Sequence, residues 1–159
     1  MKFKAVPEPR TAEFIREARH ALPLVPGSEN DCCARLLDRT ELEERETARD
    51  WITFLRALGL VERTGESYRR VRGEFDRTDL ARAFRERVFG ADAVLDVLSR
   101  DEPLDNEAVF ERVRETVPNW ERHRRTDWKT DWRERTRRLL DWAVEFELAE
   151  HTSEGYRAA

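Results

Sequence analysis

The residue types that most often carry chemistry are scarce in this chain and badly spaced for it. His20, His123 and His151 lie far apart, and none has a Cys or His neighbour at metal-ligand spacing. Cys32 and Cys33 are adjacent, so on a helix their side chains point about 100° apart. Cys33 reads as core together with Leu36 and Leu37. The six glycines form no phosphate-binding loop. No serine sits in a nucleophile-elbow context, and carboxylate pairs are too abundant to single any out. These residues predict no enzyme activity, no catalytic residue, no metal and no cofactor.

Charge is the more informative chemistry. Residues 118–138 hold Arg122, Arg124, Arg125, Lys129, Arg133, Arg135, Arg137 and Arg138 against Glu121, Asp127, Asp131 and Glu134, a local charge of +4. Trp120, Trp128 and Trp132 are interleaved among them. Basic side chains beside aromatic rings suit phosphate contacts and stacking on exposed bases. Trp132 and Trp142 read as core. Trp120 and Trp128 fit either a core stripe covered by Arg stems or a stacking platform. A second basic stretch, residues 60–73, carries Arg63, Arg69, Arg70 and Arg72 against Glu62 and Glu66, for +2.

Helical periodicity predicts the elements that position these groups. A helix over 11–22 has Thr11 as N-cap and Phe14, Ile15, Ala18 and Leu22 as its apolar stripe. Pro23, Pro26 and Gly27 break the chain. A short helix from Ser28 passes Leu37, and a turn lies at 40–42. A longer helix over 44–58 buries Ala48, Trp51, Ile52, Leu55 and Leu58, with Gly59 at its left-handed exit. Strands at 60–63 and 67–72 flank a Thr64-Gly65-Glu66 turn. A helix over 78–89 is capped by Thr78, a further helix covers 91–98, and Asp105 caps one ending near Pro118. A long helix ends near Glu145, and a short hairpin spans 146–157. Residues 119–130 carry no clear pattern.

The two ends of this pattern match. Residues 53–70, TFLRALGLVERTGESYRR, align without gaps on 141–158, DWAVEFELAEHTSEGYRA, at an offset of 88. Leu58 meets Phe146, Leu60 meets Leu148, Glu62 meets Glu150 and Tyr68 meets Tyr156. Such an alignment predicts a structural duplication, although two unrelated helix–hairpin segments would look similar.

Residues 34–63, ARLLDRTELEERETARDWITFLRALGLVER, resemble a winged helix-turn-helix: a short helix, a turn, a second helix, then Gly59-Leu60-Val61 leading into a two-stranded wing. With the repeat, the resemblance implies a mainly α fold with small β-hairpin wings. The domains are expected at 1–76 and 77–159. It also implies a DNA-binding transcriptional regulator, with duplex DNA contacted by Arg45, Arg49, Arg69, Arg70, Arg72, Arg124, Arg125, Lys129 and Arg133. The alternative is a tandem winged-helix protein–protein interaction module, such as a chromosome-segregation adaptor. Residues 43–56 favour that alternative, because Glu43, Glu44, Glu46 and Asp50 outnumber Arg45, Arg49 and Arg56 where groove-reading residues belong.

Composition sets the remaining bounds. The 159 residues carry 34 acids and 30 bases, for a formal charge of −4. Lys occurs only at positions 2, 4 and 129, Gln is absent, and Ile occurs only as Ile15 and Ile52. Scarce Lys with an acid surplus resembles haloarchaeal proteins. Two adjacent Cys build no disulfide framework. No apolar run approaches the ~18 residues that span a bilayer. The N-terminus shows no secretory signal. The expected setting is cytoplasmic, with DNA or a protein as partner, no membrane, and a homodimer as an option.

Overall fold

A computed structural model of the chain describes residues 2–124 and 126–159, with the Arg124 side chain outside that description. The chain divides into two compact units, residues 1–89 and 90–159.

In the first unit, α1 (Ala12–Ala21), α2 (Glu29–Arg39) and α3 (Arg45–Ala57) pack together. α1 and α2 start where the sequence supplies a cap. Thr11 and Ser28 accept from the backbone N–H of Phe14 and Asp31, which pairs donors that a helix start leaves open. The apolar stripe of α3 meets α1 and α2. Trp51 packs edge-on against Phe14 at 4.9 Å and Phe54 at 5.7 Å. Cys32, Cys33 and Leu36 close the same core and are fully enclosed, while Leu37 is only half-buried. Burial pushes the Cys32 thiol up to about 11, which fits a structural rather than a reactive cysteine.

The wing is β2 (Val61–Thr64) against β3 (Ser67–Arg70), and β1 (Gly27–Ser28) adds to the far side of β3, giving an antiparallel order β1-β3-β2. α4 (Arg77–Arg87) follows. Its cap is Asp76, not Thr78: Asp76 and Asp79 form a reciprocal capping box. Phe3 lies beside Val88, donating to the Arg87 carbonyl and accepting from Phe89. The contact boundary therefore falls after α4, later than the 76/77 division expected from sequence.

In the second unit, α5 (Ala91–Val97), α6 (Asn106–Val113) and α8 (Trp128–Glu145) surround a core of Val94, Phe110, Leu139, Leu140 and Trp142. Within residues 119–130, unassigned by pattern, lie a short α7 (Asn119–Arg124) and the first residues of α8. β4 (Ala149–Thr152) pairs with β5 (Gly155–Ala158). Leu104 bridges Tyr156, as Gly27 pairs with Tyr68.

The duplication holds at the level of single hydrogen bonds. In both wings the strand bounds and register differ by 88. After α3, the N–H groups of Leu58, Gly59 and Leu60 donate to the carbonyls of Phe54, Arg56 and Leu55; after α8, Phe146, Glu147 and Leu148 donate to Trp142, Val144 and Ala143. Gly59 sits at φ 82° and Glu147 at φ 60°. Ahead of the long helices the offset is 77 instead, Gly27 against Leu104 and the Ser28 cap against Asp105. The second copy is therefore eleven residues longer between α6 and the wing.

Two predictions follow from this packing. Trp51, with 1% exposure, has no room to relax around a truncation, so Trp51→Ala should lower stability by roughly 3–5 kcal/mol in chemical denaturation; an unchanged midpoint would place the ring outside the core. The left-handed exit penalises any side chain by about 1–2 kcal/mol, partly offset in the unfolded chain by the extra freedom of glycine. Glu147→Gly should therefore raise the melting temperature slightly, and Gly59→Ala should lower it.

Candidate nucleic-acid interface

The start of α3 faces the start of α2, and the two expected contact residues of this helix sit there. Arg45 donates to the Asn30 side-chain oxygen. Arg49 Nε lies 3.5 Å from Glu29 Oε1. Glu43, Glu44, Glu46 and Asp50 are exposed around them. Both arginines are exposed and held by pairs that are worth about 0–1 kcal/mol in water, so a stronger anion can displace the partner.

The wing divides its three candidates. Arg69 pairs across the strands with Glu62. Arg70, one residue on and so on the opposite face, points Nη1 at His20 Nδ1, 2.8 Å away. Arg72 is exposed just past the strand. The tip is shaped by Arg63, whose Nε donates to the Gly65 carbonyl at 2.6 Å. The wing arginines thus do not form one patch. The sequence reading missed Arg19 and His20, which meet Arg70 from the end of α1. Their signal was weak, because α1 reads as an ordinary amphipathic helix.

In the second unit Arg133 donates to both Glu107 carboxylate oxygens, at 2.9 and 3.2 Å, and its guanidinium lies 4.8 Å from the Phe110 ring centre. Arg133 stands 88 after Arg45, and Glu107 stands 77 after Asn30. The two helix-turn-helix pairs are thus clamped at equivalent positions, each through the second residue after the cap. This signal was legible once caps Ser28 and Asp105 were aligned. Lys129 is exposed on the first turn of α8, 5.9 Å from the Trp128 ring centre. Arg122 covers the same ring at 5.0 Å and donates to the Arg114 and Val117 carbonyls. Trp128 is half-buried, whereas Trp120 is 56% exposed. Trp132 and Trp142 are core. The expected contacts Arg124, as a side chain, and Arg125 lie outside the described residues.

Behind these groups the second unit carries its own polar network. Tyr156 donates to Asp141 at 2.5 Å, and Arg137 reaches the other Asp141 oxygen at 3.1 Å. Burial, then the neighbouring carboxylate, raises the Tyr156 hydroxyl far above its ordinary value. Glu134 is held below the usual carboxylate range by hydrogen bonds from Arg137 and Arg138. Burial pulls the Arg135 guanidinium down to about 10, against the opposing charge of Glu121. The Arg137 and Arg138 charges in the +4 segment are thus compensated locally.

Among the described residues no cluster of His, Cys, Asp and Glu is placed to hold a metal ion, and no helix is long and apolar enough to cross a membrane. No curated protein matches the chain, and no solved structure does. A family model, described as the Halobacterial double winged helix domain, matches residues 1–159. With two helix-turn-helix pairs, two wings in equal register and this full-length match, the chain belongs to the Halobacterial double winged helix domain family.

Proposed function

We propose that this double winged-helix protein binds duplex DNA and acts as a transcriptional regulator, with no chemistry of its own. The carrying observation is the pair of equivalent long helices: α3 presents Arg45 and Arg49 at its exposed start, and α8 presents Arg133 at the position equivalent to Arg45, with exposed Lys129 on the added turn ahead of it. In helix-turn-helix proteins this part of the helix meets the groove. The exposed contacts there resemble a resting state: phosphate replaces Asn30, Glu29 or Glu107 as the partner, and each arginine exchanges a solvent-screened surface contact for one to a phosphate. Arg72 and, from the second unit, Arg122 with Trp128 supply further phosphate and stacking contacts. Arg124 and Arg125 extend the same basic segment. Residue-specific base recognition falls to the helix starts.

One observation favours the second reading, a protein-interaction module. Glu43, Glu44, Glu46 and Asp50 are all exposed beside Arg45 and Arg49, and a phosphate backbone is repelled by that surface at low salt. At about 1 M salt the screening length falls to ~3 Å, which removes the long-range part of the repulsion and leaves close bidentate contacts. Such contacts are what Arg makes better than Lys.

The test is fluorescence anisotropy of mixed-sequence duplex DNA across a salt series, with circular dichroism confirming a folded chain at each point. Wild type should bind, and log affinity should fall with log salt. Arg45→Glu and Lys129→Glu should each weaken binding by about ten-fold, as loss of a charged hydrogen bond does. No binding at any salt where the chain is folded would overturn the proposal in favour of the protein-interaction reading.

A further inference from the structure

Among the described residues ten arginines are paired with an acid. Arg10, Arg16, Arg35, Arg49, Arg69, Arg114, Arg133, Arg137, Arg138 and Arg157 each lie in an ion pair. In a chain with more acids than bases that is the expected state. One place in the first unit brings two arginines without an acid partner together. Arg19, at the end of α1, and Arg70, at the end of β3, meet beside His20 without a carboxylate in the cluster.

The backbone, not a counter-charge, holds this cluster together. Arg19 Nη2 donates to the carbonyls of Val71 at 2.7 Å and Gly73 at 2.8 Å, and the guanidinium lies 4.8 Å from the Phe75 ring centre. Arg70 is fixed through its own N–H, which donates to the Pro23 carbonyl at 2.7 Å. The Arg70 guanidinium, which only donates, lies 2.8 Å from His20 Nδ1. The Nε atoms of Arg19 and Arg70 are buried without partners. Burial, then the Arg70 charge, lowers the Arg19 guanidinium below its ordinary value. Desolvation is the larger of these effects, and the second is the repulsion between two like charges.

The cluster opens onto two adjoining clefts of about 620 and 550 Å³ that share Arg19, His20, Gly73 and Glu74. These volumes are those of small-molecule sites. Leu24 and Phe75 give the clefts apolar walls, and Arg72 adds a further cation. Glu74 lines both clefts, and Asp76 and Asp79 line the larger one beside Arg16 and Arg19. The two aspartates are held in the α4 capping box, and none of the three acids is in an ion pair with Arg19, Arg70 or Arg72.

We infer that this cleft is a binding site for a small oxyanion, a phosphate or carboxylate group carried on a molecule with a compact apolar part. Planar guanidinium groups suit such anions through paired N–H donors. An anion here relieves the repulsion between Arg19 and Arg70, and Leu24 and Phe75 take the apolar part. A concave site of this size fits a small ligand better than the convex backbone of a duplex. The inference does not depend on whether the chain binds DNA.

The probes are inorganic phosphate and phenyl phosphate, titrated into the full chain by calorimetry at constant ionic strength. Both should bind saturably, phenyl phosphate more tightly, and both should raise the melting temperature. Arg70→Gln should weaken both by about ten-fold, the effect of one charge-assisted hydrogen bond. Without ligand it should melt no lower than wild type, because it removes an unpaired charge. Arg45→Gln, outside the cleft, should bind both probes as wild type does. Absence of saturable binding by wild type, or equal binding by Arg70→Gln, overturns the site. In a second arm, duplex DNA is added to the phenyl phosphate complex. Release of the probe, with Arg70→Gln losing DNA affinity in parallel, would assign the anion to the DNA backbone and overturn the small-ligand inference. Failure of DNA binding alone leaves the first arm intact.

Discussion

Each unit depends on a reversal at the end of its longest helix. α3 and α8 carry the largest buried rings, Trp51 and Trp142, and the chain must leave each helix and start a strand within about three residues. A right-handed continuation would carry the chain away from the core. One left-handed residue solves this, Gly59 in the first unit and Glu147 in the second. It lets Leu60 and Leu148 fold back to the carbonyls of Leu55 and Ala143, so the orphan ends of the helix are paired and the wing starts against the core. Because the bend is local, both copies keep it, even though only one retains the glycine that adopts it without strain.

Where the copies differ, the differences lie outside that reversal. The second copy reduces the first strand of the sheet to one bridging residue, Leu104. Gly155 makes this close approach feasible, since a Cβ there would lie 2.5 Å from the Leu104 carbonyl. The added residues before the wing form α7 and lengthen the start of α8. They bring Trp120, Trp128, Arg122 and Lys129 beyond the point where α3 begins. The duplicated frame thus presents a charged helix start in one unit and an aromatic, basic one in the other.

Charge compensation is the second organising feature. Part of the Arg-rich composition is absorbed by short-range pairs, within helices as with Arg137 and Glu134, across wings as with Arg69 and Glu62, and between helices as with Arg133 and Glu107. Each is weak by itself, and each lowers the field that a stretch of arginines would otherwise project. A basic run in the sequence is therefore a poor measure of a basic surface. At Arg19 and Arg70 two cations meet instead, and backbone carbonyls hold the Arg19 guanidinium in place.

The local code settled much of this protein. Caps at Thr11, Ser28 and Asp105, the apolar stripes of α1, α3 and α8, the exit at Gly59 and the 88-residue offset are contained in short stretches of sequence, and the folded chain follows them because capping and periodicity act over a few residues. Thr78 yielded to Asp76 because two carboxylates at the right spacing complete a capping box that threonine alone does not. Residues 119–130 stayed unreadable because no amphipathic period spans them; within them α7 packs against α8. The candidate site was legible only as residue types. Which arginine meets Glu29, Asn30, Glu62, Glu107 or another arginine depends on elements tens of residues apart. Ion-pair energies fall off over a few ångströms, so only the tertiary arrangement decides which charges are neutralised and which remain to receive an anion.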